Sequence, residues 1–304
     1  MTAIGATAPK TSTSRPPEVE EALNRFVIHP MSRGLVRLLI PTGISPNAVS
    51  VLGVVMMASA AGCYALLPWP WSACIGLLFH TAWHVFDGAD GELARRTGRA
   101  STDGEIVDGI CDHLSHVILY VVMGLILAEK MGLWAWPIAL AAGTSRAFHA
   151  NAYETVRRNY RRWVYDVSWI RQDVGQSAAP AAASRWRRLT TPLAQVYLNT
   201  SQVMSANDSA VEAVMQRLLA GDRAKAAAAR ALYRESQEPM VNRASWLSTN
   251  YETLAAALSI LAGSPLYFLL NEITLLNVVM VLTIRAQASS YKGLVARLEA
   301  LEAG

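Results

Sequence analysis

Four aspartates occur in two pairs whose spacing suits α-helices. Asp87 and Asp90 are three residues apart, and Asp108 and Asp112 are four apart. At these spacings two residues lie on the same face of a helix. The connector, residues 95–103, is short, basic and turn-like, so we expect two adjacent antiparallel helices. Four carboxylates would then converge near one end of a helix pair.

Neighbouring carboxylates repel one another, and near lipid that repulsion costs several kcal/mol if nothing compensates it. Hard divalent cations such as Mg²⁺ or Mn²⁺ would neutralise them. Two such ions about 3.5–4 Å apart would clamp a diphosphate. The pattern predicts a two-metal site for phosphoryl transfer, with the ligands Asp87, Asp90, Asp108 and Asp112. The alternative is that these acids pair only with the connector arginines, Arg95, Arg96 and Arg99.

Small residues beside the aspartates would admit a ligand. Gly91 and Gly104 lack a Cβ atom, so a ligand or a neighbouring backbone can approach closely, and Ala94 keeps the same face open. The planar guanidinium of Arg95 suits a phosphate group.

The elements that hold these residues are predicted to cross a membrane. Of the 304 residues, 52% are hydrophobic and 16% are charged, whereas soluble domains carry about 25% charged residues. Six apolar stretches approach the ~20 residues that span a bilayer. They are residues 46–67, 71–94, 104–128, 133–151, 251–270 and 275–290. The predicted fold is an all-α integral membrane protein.

The distribution of basic residues predicts the orientation. If the N-terminus is cytoplasmic, the short outer connections contain one basic residue, Lys130, and the inner segments are rich in arginine. Tryptophans at the outer ends resemble an aromatic belt. We therefore expect the active site and both chain ends on the cytoplasmic side. The net charge of +4 then reflects an anionic membrane surface and not nucleic acid.

The chain divides into four predicted sections. Residues 1–19 form a disordered leader, and residues 20–152 contain an interfacial helix and the first four spans with the acidic motif. Residues 153–248 form a cytoplasmic helical insertion with an Ala/Pro/Ser linker at 177–184. Residues 249–304 contain the last two spans and a cytoplasmic tail.

The acidic motif resembles the signature of the CDP-alcohol phosphotransferase family. That signature reads D-x-x-D-G-x-x-A-R, eight residues, G-x-x-x-D-x-x-x-D. Its fixed positions are all filled, by Asp87, Asp90, Gly91, Ala94, Arg95, Gly104, Asp108 and Asp112. Upstream, residues 29–53 are similar to the family's juxtamembrane helix and to the Pro-Asn start of its first span. The resemblance covers about residues 28–151.

The resemblance implies a reaction in which an acceptor hydroxyl attacks the β-phosphorus of a CDP-alcohol and displaces CMP. It also implies that Asp87, Asp90 and Asp108 ligate the metals, and that Asp112 is a ligand or the general base. The CDP pocket would be shaped by Gly91, Ala94, Arg95 and Gly104. The expected donor is a CDP-linked lipid such as CDP-diacylglycerol. Transfer of a CDP-linked head group to a lipid alcohol is the alternative, and the family also allows a homodimer.

Basic residues outside the signature are candidates for binding the acceptor. Arg146, His149 and Arg157 lie near the inner end of the fourth predicted span and would bind a phosphate on the acceptor. The alternative is a basic flank that snorkels to the interface. Arg285 in the sixth predicted span either faces a cavity or marks the inner boundary of the membrane.

Two other functional classes are less consistent with the sequence. A membrane prenyltransferase would carry aspartate-rich motifs on two separated helices. A carrier would show acids scattered over several spans and an internal repeat. The intramembrane acids are instead expected in one hairpin, which favours the phosphotransferase.

Overall fold

The computed structural model describes residues 16–167 and 209–303, and the regular structure within these ranges is entirely helical. This confirms the predicted all-α membrane fold. The α-helices of the described ranges are α1 His29–Leu39, α2 Pro46–Leu66, α3 Trp71–Arg96, α4 Thr102–Met131, α5 Ala135–Tyr165, α6 Ser209–Ala220, α7 Arg223–Ala244, α8 Thr249–Leu261, α9 Leu266–Asn271 and α10 Asn277–Ala303. Two π-helical turns, Asn24–Ile28 and Glu272–Leu276, lead into α1 and α10.

Three helical stretches of the described chain are long and apolar enough to cross a membrane, namely Pro46–Leu66, Asp103–Tyr165 and Leu266–Ala303. The second contains both α4 and α5. These helices are antiparallel, because Gly124 faces Ala139 while Gly143 faces Tyr120. α3 is not one of these three stretches, because its second half is too polar. The predicted number of six spans stays a prediction.

The last predicted turn lies earlier than expected. The predicted spans 251–270 and 275–290 leave a connection at residues 271–274, but α8 ends at Leu261 and the chain turns through Gly263, Ser264 and Pro265. Gly263 has a φ of 88°, which favours glycine, and proline lacks the amide proton that a continuing helix would use. Apolar residues on both sides of this turn hide it from a search for apolar runs.

The loops at one end of the molecule are tied together. The indole Nε1 of Trp69 donates to the carbonyl of Leu261 at 3.0 Å, and Lys130 Nζ donates to the carbonyl of Gly263 at 2.9 Å. These contacts join the α2–α3 loop, the end of α4 and the α8–α9 turn. The aspartates lie towards the opposite ends of α3 and α4.

The predicted interfacial segment contains one π-helical turn followed by α1. Pro30 is the second residue of α1, where the π-helical turn is replaced by the α-helix. Phe26 and Leu38 are exposed, as a surface that lies on lipid requires. Ser32 is buried and donates to the carbonyl of Val85 at 2.9 Å, which fixes α1 against α3.

The two largest apolar cores of the described residues are separated along the long axis of α5. The first contains Met57, Trp83, Leu119, Ala139 and Phe268. The second is formed by the end of α5 with α6, α7 and the end of α10. It contains Tyr160, Met215, Tyr233, Leu294 and Leu298. The described part of the predicted insertion is therefore helical. Its linker at 177–184 and most of the predicted leader lie outside the described residues.

Candidate active site

The four aspartates of the sequence motif line one small cavity that is partly open to the surface. Its lining residues come from α2, α3 and α4. They are Ser50, Gly53, Trp83, Asp87, Asp90, Asp108, Cys111 and Asp112. The structure thus brings together the residues predicted to hold metal, and it adds α2 as a third wall.

Local backbone features determine where α3 and α4 place their carboxylates. Gly98, with a φ of 67°, lies in the connector between the two helices. The extended Ser101 then caps α4, and its hydroxyl accepts from the Gly104 amide at 3.1 Å. α2 packs closely against both α3 and α4, whereas α3 and α4 contact each other little. The expected helix pair is therefore a group of three helices, with the cavity between them.

Asp90 is held tightly at its position. It is 4% exposed, its Oδ2 accepts a hydrogen bond from the Ser50 hydroxyl, and its Oδ1 accepts one from the Gly91 amide. Its carboxyl shares the cavity with that of Asp108. Neighbouring carboxylates repel one another. A bound cation would offset that repulsion.

The donor set of the cavity fits a hard divalent cation, since it offers four carboxyl groups and a hydroxyl, all with oxygen ligands. Within 16–167 and 209–303, no three His, Cys, Asp or Glu side chains are already arranged as a metal site. Binding an ion would therefore require carboxylates other than that of Asp90 to turn. The helices already place all four carboxyl groups at the cavity.

The connector arginines have other partners in this structure. Arg95 and Arg96 form ion pairs with Glu92 at 3.1 and 2.7 Å, and Arg99 donates to the carbonyl of Gly43. The partners of these arginines are thus Glu92 and a backbone carbonyl, and not the aspartates that the alternative assigns to them.

The residues expected to shape the CDP pocket lie beside the cavity and not in its lining. A Cβ atom at Gly91 would lie 3.3 Å from Arg95 Nη1, and one at Gly104 would lie 3.6 Å from Asn47 Oδ1. Ala94 is half-buried on the same helix end, and Arg95 is exposed. Their role in binding CDP stays a prediction.

Two of the acceptor candidates are buried in polar pairs. Arg146 Nε lies 2.8 Å from Glu252 Oε2, and Arg146 Nη1 donates to the carbonyl of Leu247 at 2.8 Å. His149 Nδ1 lies 3.0 Å from Glu272 Oε2, and its Nε2 lies 3.0 Å from Asn277 Oδ1. Both side chains are therefore already engaged within the protein.

The other two candidates differ in exposure. Arg157 lies on the extension of α5 beyond the fourth predicted span and pairs with Glu154 at 2.9 Å. Arg285 is exposed on α10, so the structure does not bring it to a cavity.

Several residues at or near the site were not found by sequence reasoning. Ser50, Trp83 and Cys111 lack any pattern of their own, and only the fold brings them to the aspartates. Glu252 and Glu272 contradict the expectation that intramembrane acids lie in one hairpin, because they are 1% and 0% exposed in the last part of the chain. Each is an acid within or beside an apolar stretch, and that signal could have revealed both.

Comparison with known proteins classifies the segment that contains the cavity. The CDP-alcohol phosphatidyltransferase family matches residues 43–191, which include all four aspartates. These residues form a CDP-alcohol phosphatidyltransferase domain. The match begins just before α2 and continues beyond α5.

Individual relatives cover a shorter part of the chain. A phosphatidylinositol phosphate synthase of Mycobacterium marinum is 35% identical over 107 residues, which are 34% of this chain and 41% of that protein. The phosphatidylinositol phosphate synthase of Mycobacterium tuberculosis is 34% identical over 107 residues, or 34% of this chain and 44% of its own length. Cholinephosphotransferase 1 of Gallus gallus is 31% identical over 101 residues, 31% of this chain and 29% of that protein. The chain spans about two fifths of the length of the first of these curated relatives.

Proposed function

We propose that this protein transfers a phosphoalcohol group from a CDP-alcohol to an acceptor alcohol, with release of CMP, in phospholipid biosynthesis. The observation that carries the proposal is the cavity at which Asp87, Asp90, Asp108 and Asp112 meet inside the family domain. Four carboxyl groups around one cavity suit a cation-bound diphosphate.

The roles of the aspartates follow from their positions. Asp87, Asp90 and Asp108 would hold Mg²⁺ or Mn²⁺, which when bound neutralises the diphosphate and the departing CMP. Asp112 lies one turn further along α4 than Asp108 and accepts the proton of the acceptor hydroxyl. The hydroxyl oxygen attacks the β-phosphorus, and the bond from that phosphorus to the bridging oxygen breaks. Ser50 keeps the Asp90 carboxyl oriented during the reaction.

The donor we propose is a CDP-linked lipid such as CDP-diacylglycerol, and the acceptor is an alcohol that carries a phosphate. The relatives named phosphatidylinositol phosphate synthases support such an acceptor. Arg157 and Arg161 on α5 also support it, because the Nε atoms of both are buried and have no hydrogen-bond partner among the described residues. Arg161 lies one turn further along α5 than Arg157. A phosphate placed there would meet several guanidinium donors.

Transfer of a CDP-linked head group to a lipid alcohol is the second candidate. The similarity to a cholinephosphotransferase supports it. Both directions use the same aspartates and release the same nucleotide, so only the substrates distinguish them.

The test is a panel of substrates with the purified full chain in detergent and Mg²⁺ or Mn²⁺. Release of CMP is measured for CDP-diacylglycerol with inositol phosphate, glycerol phosphate, inositol or serine, and for CDP-choline with diacylglycerol. We expect release with CDP-diacylglycerol and a phosphorylated acceptor, and its loss when EDTA removes the metal. Release only from CDP-choline would establish the second candidate, and no release from any pair would refute both.

We further propose that the cavity faces the cytoplasm and that the enzyme forms a homodimer. The arginine-rich connector and α5 extension support the orientation through the positive-inside rule. Ala100→Cys is made in a variant whose Cys63, Cys74 and Cys111 are replaced by alanine, because these native thiols would also react. Labelling by a membrane-impermeant maleimide only in opened cells would agree with this orientation, and labelling in intact cells would refute it. Light scattering of the detergent-solubilised protein tests the dimer, which a monomeric mass would exclude.

A further inference from the structure

The N-terminal segment, residues 16–22, packs against helices from both halves of the chain and leads into the π-helical turn before α1. Its apolar anchor is Val19, which is 6% exposed and belongs to the second core. Glu18 accepts a hydrogen bond from the Tyr165 hydroxyl at the end of α5, at 2.7 Å. The segment is therefore docked on the protein by apolar and polar contacts.

Glu21, in the same segment, accepts hydrogen bonds from side chains of two helices. The Tyr153 hydroxyl of α5 donates to its Oε1 at 2.8 Å. The hydroxyl of Ser248, the N-cap of α8, donates to its Oε2 at 2.8 Å, and the Asn250 amide donates to the same oxygen. We call Tyr153, Ser248 and Asn250 the donor site. Three uncharged donors around one anionic group would equally suit the oxygen atoms of a phosphate.

A guanidinium lies next to the donor site. Cζ of Arg157 is 5.6 Å from the centroid of the Tyr153 ring, whose hydroxyl contacts Glu21. Nη2 of Arg157 pairs with Glu154, but its Nε is buried and has no hydrogen-bond partner among the described residues. A buried donor without a partner costs free energy, which a hydrogen bond to a phosphate oxygen would offset. The donor site thus adjoins an arginine that we propose for binding the acceptor phosphate.

A second cavity, also partly open to the surface, lies along the N-terminal segment. The acids in its lining, Glu18, Glu20 and Glu21, all belong to the segment. The wall that the rest of the chain supplies has no charged side chain and includes Tyr153 and Asn242. Like charges repel, so the docked segment disfavours an anion in this cavity. Without the segment, an uncharged polar wall would remain.

We propose that residues 16–22 form an autoinhibitory strap, in which the Glu21 carboxylate occupies the donor site in place of the acceptor's phosphate. Docking of the strap and binding of a phosphorylated acceptor then exclude each other. The apparent affinity for the acceptor is reduced by the fraction of molecules whose strap is released. This inference rests on the proposed function, because it requires an acceptor whose phosphate reaches Arg157.

Glu21→Gln tests the strap, because it removes the charge and retains the size of the side chain. We expect the KM for the phosphorylated acceptor to fall by about threefold or more, with kcat and the KM for CDP-diacylglycerol within about twofold of wild type. Glu21→Asp keeps the charge and should give a KM closer to that of wild type. A KM for the phosphorylated acceptor in Glu21→Gln equal to or above the wild-type value would overturn the proposal.

A binding measurement separates the strap from the reaction. The full chain in detergent and EDTA is titrated with inorganic phosphate in a calorimeter. Phosphate should bind about threefold or more tightly to Glu21→Gln than to wild type. Equal or weaker binding would contradict competition between Glu21 and an anion. Absence of CMP release from the wild-type protein would refute the proposed function, whereas this titration would still decide whether the strap competes with phosphate.

The matched control is Glu212→Gln. Glu212 of α6 pairs with Arg162 of α5 at 2.9 Å, so its loss removes a carboxylate near the same end of α5 without touching the strap. Its acceptor KM and phosphate affinity should equal those of wild type, and a gain as large as that of Glu21→Gln would overturn the proposal. If Glu21→Gln does not fold, Val19→Ala decides, because it weakens the apolar anchor and keeps every carboxylate of the strap. It should lower the same KM, and an unchanged or higher value would refute the strap.

Discussion

Asp90 and Asp112 line the same cavity in different surroundings. Asp90 accepts hydrogen bonds from Ser50 and from the Gly91 amide, so its orientation is fixed. Asp112 lies one turn further along α4 than Asp108, in the lining of the same cavity. A fixed carboxylate suits a metal ligand. One that projects further along the helix suits proton transfer to and from a substrate.

Asparagine at these two positions should therefore have different effects. Asp112→Asn should lower kcat for CMP release by about a hundredfold or more, the usual contribution of a general base, while CDP-alcohol binding persists. Asp90→Asn should weaken binding of both the metal and the CDP-alcohol. Calorimetric titration with the CDP-alcohol and Mg²⁺, together with CMP release, separates the two effects. Full activity in either variant would contradict the role assigned to that residue.

At the scale of elements, the start of α4 determines where Asp108 and Asp112 lie. Ser101 caps this helix through the Gly104 amide, and Gly104 is one turn before Asp108. The cap therefore connects helix stability with the geometry of the site.

Ser101→Ala should lower the free energy of unfolding by about 1 kcal/mol, the usual cost of a lost N-cap. Fraying of the first turn should also raise the KM for the CDP-alcohol, because Gly104 belongs to the predicted CDP pocket. The matched control is Asp222→Ala, which removes the cap of α7 in the second core, where the Asp222 carboxylate accepts from the Lys225 amide. It should cost similar stability with an unchanged KM. Equal KM changes in both variants would argue against a local effect of the α4 cap.

The helices differ in how well the sequence predicts them. α3 and α4 were predicted with their aspartates because the relevant spacings are three and four residues, within one helical turn. The turn between α8 and α9 lies earlier in the sequence than the predicted connection at residues 271–274. Leu261 and Leu266 continue the apolar run on both sides of the turn and so conceal it. The contact between Arg146 and Glu252 joins residues far apart in sequence, and no local pattern encodes it. Local chemistry was therefore predictable, whereas the packing partner of each buried charge was not.

At the scale of the whole molecule, α5 contributes to both apolar cores. Ala139 packs in the core near the cavity, and Tyr160 packs in the core formed with α6, α7 and α10. Since one continuous helix carries both residues, a substitution that destabilises the second core should also destabilise the first.

Leu298→Ala tests this coupling. Leu298 is fully buried in the second core, so its truncation should cost about 2–5 kcal/mol of stability. We expect the temperature at which helicity is lost and the temperature at which CMP release is lost to fall by the same amount. The control is Glu299→Ala on the exposed side of α10, which should change neither temperature. If helicity is lost in two separate steps on heating and CMP release is lost only in the second step, the two cores unfold independently.

The shared helix also limits how this protein can evolve or be engineered. Part of the wall around the second core is the continuation of α5, a helix of 31 residues that begins beside α4, and another part is the end of α10. A domain joined to the rest of a protein by a flexible linker can be exchanged between proteins without changes elsewhere in the chain. Here an exchange of α6 and α7 would have to preserve the surfaces that α5 and α10 present to them. Substitutions in this region are therefore expected to co-vary with those in α5 and α10. Grafting of the region onto another protein with a similar domain would succeed only with both helices included.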